Sequence, residues 1–155
     1  MNDRGQAFDA DGVRDLLAYI VTRLSGVPHG DTLVVVFLAK GAEADVVVGL
    51  QPMSLREASN RLNDLRATAT ICRASYAMVA VFDDDETIAE TVSMAVAMGL
   101  RLEKNVRVQV AADRWHELGA GPDGERGTVA DLDSSSMAAQ AVVAGLPFPL
   151  LRAGV

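Results

Sequence analysis

Apolar residues recur along this chain in two rhythms, helical in some stretches and continuous or alternating in others, and the switches between them mark out its elements. Val13, Leu16, Leu17, Ile20, Val21 and Leu24 follow helical spacing, so the first element is an amphipathic helix, capped by Asp11 and closed by Gly26 and Pro28. After the turn residues Pro28-His29-Gly30-Asp31, residues 32–38 form an apolar run, and residues 45–50 form another beyond a turn containing Gly41. Two strands with so short a connection pair antiparallel.

Ser54 and Glu57 have the spacing of a capping box, and Leu55, Ala58, Leu62, Leu65, Ala69 and Cys72 continue from it as a helical stripe. Arg56, Arg61, Asp64 and Arg66 fall on the opposite face. Residues 76–82, Tyr-Ala-Met-Val-Ala-Val-Phe, are apolar without interruption, as in a strand covered on both faces, and they stop at Asp83-Asp84-Asp85-Glu86. Asp83 and Glu86 repeat the capping-box spacing ahead of a third helix carrying Ile88, Val92, Ala95, Val96 and Gly99. No residue from Thr91 to Leu100 is charged, and Met94, Met98 and Leu100 widen its apolar surface. This helix is therefore deeply buried or offers a face to a second subunit, and a homodimer through residues 91–100 is the expected assembly.

Val106, Val108 and Val110 alternate with Arg107 and Gln109, which predicts a fourth strand with one wet face. Residues 113–133, rich in glycine and acids, read as a loop, and Ser134-Ser135-Ser136 introduce a closing helix over 135–145, stopped by Gly145 and Pro147. At 155 residues, half of them hydrophobic, the chain suits a single α/β domain over 1–155. The expected sheet is mixed, with about four strands: an antiparallel hairpin, then parallel crossovers carrying helices.

Composition narrows the partners. A net charge of −7 argues against nucleic acid and anionic membranes, and 5% aromatic residues provide few stacking platforms. The polar first residues lack a leader pattern and no apolar run spans a membrane, so a cytoplasmic protein is expected. The single cysteine, Cys72, forms no internal disulfide or cysteine-based zinc site and reads as a core thiol.

If strands two, three and four run the same way, Gln51, the acids at 83–86 and the group Asp113-Arg114-Trp115-His116 emerge along one carboxyl edge, where open α/β sheets bind ligands. Gln51, Arg114, Trp115 and His116 are the candidate ligand-binding residues. Trp115 offers a ring to stack on, or a body that packs the loop on the sheet, and Arg114 offers an anion contact. Asp83, Asp84 and Asp113 are candidate ligands for Mg²⁺ or Mn²⁺, but capping and the helix dipole are the stronger explanation of acids at a helix start. No cofactor is otherwise indicated. His29 reads as a turn residue, and residues 134–136 lack a strand-turn-helix serine elbow. The glycine spacing of residues 119–124 matches a dinucleotide fingerprint only on paper, because Pro122 interrupts it and no helix follows.

Three places give the chain a family resemblance. Residues 24–36, Leu-Ser-Gly-Val-Pro-His-Gly-Asp-Thr-Leu-Val-Val-Val, are similar to a Leu-Gly-aromatic-x-Pro-x-Asp-Ser-Leu-Val-Val signature, Arg114-Trp115 matches an Arg-Trp step, and Ser135, Ala138, Ala139, Ala141, Val142 and Gly145 follow a closing small-residue helix. In these the chain resembles an actinobacterial family known as a domain of unknown function. The resemblance implies an α/β fold and an actinobacterial or actinobacteriophage origin. It brings no activity, and the cysteines that often follow the family's tryptophan are missing from residues 117–127. The sequence thus favours a noncatalytic protein-interaction or ligand-sensing module. The alternative is a divalent-metal-dependent enzyme acting on a phosphate or other anionic small molecule at the carboxyl edge.

Overall fold

The computed structural model describes residues 12–40 and 46–134. Helix α1 (Gly12–Leu24) precedes strands β1 (Thr32–Ala39) and β2 (Val46–Ser54), and a 3-10 turn at Leu55–Glu57 leads into α2 (Leu62–Cys72). Strand β3 (Tyr76–Phe82), helix α3 (Glu86–Leu100) and strands β4 (Lys104–Ala111), β5 (Arg114–Leu118) and β6 (Arg126–Thr128) follow, and a 3-10 turn at Val129–Ser134 completes the described chain. The strands form one mixed sheet in the order β2-β1-β3-β4-β5-β6. No helix among the described residues is long and apolar enough to cross a membrane. The Asp11 cap and the closing helix over 135–145 lie outside the described residues.

Alternation along the strands sends side chains to two cores. Val34 and Val36 of β1, with Met78, Ala80 and Phe82 of β3, pack under α1 and Leu132. Leu33, Val35 and Phe37, with Ala77, Val79 and Val81, pack under α2 and α3. Because both faces are covered, every residue of β3 is buried, which accounts for its unbroken apolar run.

Pairing fixes the directions. β1 lies antiparallel to both β2 and β3, and β3 is parallel to β4, so β2, β3 and β4 all run the same way. Thr32 stands opposite Ser54 on one side and Phe82 on the other, with Phe82 opposite Val110, so one row of residues ends the sheet at its carboxyl edge.

Several details differ from the sequence expectation. Among the described residues the sheet has six strands rather than about four, because residues 113–133 hold β5 and β6, which hairpin onto β4. The face of β4 carrying Arg107 and Gln109 is not wet: α3 covers it, and Arg107 Nη1 donates to Glu90 Oε2 at 2.8 Å and to Ser93 Oγ at 3.2 Å. The hydroxyl of Ser54 accepts from Glu57 N at 3.3 Å, but this cap serves only the short 3-10 turn, and α2 starts at Leu62 without a side-chain cap. Ser59 and Asn60, which favour turns over helix interiors, stand at that break. Leu62 then seats against Gly99 of α3, where a Cβ would overlap its side chain.

Candidate functional site

Strand β3 delivers Asp83 to the carboxyl edge, and Asp83 becomes a four-bond junction there. Its N–H donates to Val110 O at 3.1 Å, and its carbonyl accepts from Gln109 Nε2 at 2.8 Å. Its carboxylate accepts the Asp85 N–H on Oδ1 at 2.9 Å and the Asp31 N–H on Oδ2 at 3.0 Å. Asp84 Oδ1 accepts the Ala112 N–H at 2.9 Å. The two residues held in this way, Asp31 and Ala112, have φ of 52° and 55°, left-handed backbone that costs a side-chain-bearing residue roughly 1–2 kcal/mol. The acidic tip is thus built into the edge: consecutive aspartates pin the loop before β1 and the turn after β4 onto the end of β3.

The helix cap lies two residues later than the Asp83–Glu86 spacing predicts. Asp85 is the N-cap of α3, and its Oδ1 accepts from Ile88 N at 3.0 Å. Asp83 is drawn away from capping by Asp31, a partner 52 residues distant in sequence.

Between the pinned segments lies a cleft of about 560 Å³. Phe82 and Val110 floor it, Val27, Pro28 and Val129 wall it, and His29, Asp83, Asp84 and Asp113 supply its polar groups. The size and the mixture of apolar floor with a few polar groups suit a small-molecule site. The three candidate acids therefore do meet at one opening. Yet Asp83 has both carboxylate oxygens engaged by backbone amides and Asp84 has one, and among the described residues no group of three His, Cys, Asp or Glu side chains is placed to hold a metal ion.

The other candidates lie elsewhere. β2 continues three residues past Gln51, so Gln51 sits in mid-strand opposite Val35 and lines a shallow depression with Arg61, Asp64 and Thr68 on the α2 side. Arg114, Trp115 and His116 lie within β5 rather than at a strand end. Trp115 is 3% exposed and packs in the α1-side core with its ring against Gly127, so it is a core residue and not a stacking platform. His116 stands opposite Gln109 and is half-buried, and Arg114 is exposed; neither lines the cleft.

Residues 27–30 and 129–130 form cleft walls that the sequence reading did not place. The signal for the first was present: a strand antiparallel to β3 necessarily starts where β3 ends. At the opposite edge of the sheet, Lys40 and Lys104 lie 5.3 and 5.6 Å from the centroid of the Tyr76 ring. The Tyr76 hydroxyl, and then Glu103, hold the Lys40 ammonium above its ordinary range. Cys72, at the end of α2, is half-buried and outside both core clusters rather than a core thiol, and its partial burial pushes the thiol up. No protein-family model, curated protein or solved structure matches this chain.

Proposed function

We propose that this chain is a noncatalytic ligand-sensing module that holds a small molecule in the cleft at the carboxyl edge of its sheet. What carries the reading is the state of the acids in that cleft: Asp83 and Asp84 are occupied in pinning backbone, around a cleft whose base is formed by the buried Phe82 and Val110. Carboxylates committed in this way are poorly placed to ligate a metal or to transfer protons. They do fix the loops that shape a binding site, as preorganisation requires. Asp113 and His29 remain to orient a bound polar group.

The test is a fragment screen read by amide chemical shifts. Hits should move Gly30, Asp84, Ala112, Asp113 and Ala130 together, and Val129→Trp, which fills the cleft, should abolish the response. Hits that perturb only the depression beside Gln51, or an unchanged response in Val129→Trp, would overturn the assignment. Broadening by Mn²⁺ confined to Asp84 and Asp113, and lost in Asp113→Ala, would replace it with the metal-dependent enzyme.

A further inference from the structure

Away from the cleft, α3 presents a face that its own sheet does not use. Ile88, Met94 and Met98 are 42%, 40% and 69% exposed, and Thr87, Thr91 and Ala95 beside them are exposed as well. Steps of three, four and seven residues place all six on one stripe of the helix, and none is charged. The inward face is occupied by Ala89, Ser93, Val96, Ala97 and Leu100, so the stripe is surplus to the core.

We infer that this outward face of α3 docks a second copy of the chain, in an antiparallel helix pair about a two-fold axis. The distribution of charge along α3 selects that occupant. The −7 on each copy opposes association at long range, but the stripe itself is uncharged, and the antiparallel arrangement sets the acids Asp84, Asp85 and Glu86 at the start of one α3 beside Arg101 at the end of the other. A parallel arrangement would oppose like charges, and with them the like ends of the helix dipoles.

Size sets the expected strength. A 15-residue helix is about 22 Å long and about 10 Å across, so its outward face covers roughly 220 Å². Adding the neighbouring α2 about doubles this, which is still below the ~800 Å² per partner of a stable interface. The pair is therefore transient, with a dissociation constant weaker than the ~1 µM at which standard-size interfaces end.

Sedimentation velocity on the full chain from about 5 to about 500 µM lies in that regime. The mean mass should rise from one chain toward two. Met98→Glu and, independently, Thr91→Glu should weaken association at least about tenfold with unchanged circular dichroism and melting temperature, whereas Arg126→Gln on β6, an equal change in charge at the far sheet edge, should leave it intact. A single-chain mass throughout, or a dimer that survives both glutamate variants, overturns the inference.

Discussion

Replacing Asp83 with alanine removes two hydrogen bonds at once, those from the Asp31 and Asp85 amides to its carboxylate. Hydrogen bonds to a charged acceptor contribute roughly 1.5–3 kcal/mol each, but Asp83 is only half-buried and water replaces part of the loss, so about 1–1.5 kcal/mol apiece is the better figure. Asp83→Ala should then cost about 2–3 kcal/mol, and for a chain of this size lower the melting temperature by roughly 5–10 °C. Asp83→Asn keeps one oxygen as acceptor and should cost about half as much. Part of the penalty is strain left without its clamp, since Asp31 keeps its left-handed backbone. Asp31→Gly should therefore recover about 1 kcal/mol in the Asp83→Ala background, while giving up a weak, exposed contact with Arg56. Thermal and urea unfolding by circular dichroism report all three variants. If Asp83→Ala melts within about 1 °C of the parent, the junction at the tip of β3 does not hold the edge together and the account of the acids is refuted.

Gly127→Ala drives a methyl group into the rigid, buried Trp115 ring and should cost about 1–3 kcal/mol, read from the fluorescence of the chain's single tryptophan during urea unfolding. Asp113→Ala should leave stability within about 0.5 kcal/mol in a thermal melt while weakening any cleft ligand, which separates the acid with no clamping role from Asp83. Burial pushes the Tyr19 hydroxyl well above the ordinary phenol value, against a smaller opposing effect of Arg23. The unfolded chain loses that proton near pH 10, so this contribution is intact below about pH 10 and falls away as the pH rises further. Urea midpoints between pH 8 and 11 should decline less steeply in Tyr19→Phe than in the parent.

Most of the central architecture was legible because burial on two faces writes a plain pattern. The unbroken run of β3 and the short β1–β2 connection gave the layer arrangement and the common direction of β2, β3 and β4. β5 was illegible because Trp115 and Leu118 point to opposite faces amid Arg114, His116 and Glu117, leaving no run of apolar residues, and it is a strand by virtue of its pairing with β4. The convergence of Asp83, Asp84 and Asp113 on one edge could be argued from strand direction. What the acids do there could not, since the partner that engages Asp83 is the amide of Asp31, before a different strand. Arg107 and Gln109 misled for a related reason: polar side chains on a strand look solvent-facing until their partners are in place, here Glu90 and Ser93 of α3 for Arg107 and the Asp83 carbonyl for Gln109.

The two margins of the sheet bear on how this chain behaves when crowded. β2, at one margin, carries Pro52 and a break in register where Phe37 gives way to Leu38 on its partner, and β6, at the other, is three residues long. A margin that lacks an amide donor, is bent, or is cut short makes a poor template for another strand. Despite a valine-rich interior, then, the folded protein should resist growing into cross-β fibres, and fibril formation should require unfolding first, with its onset following the melting transition.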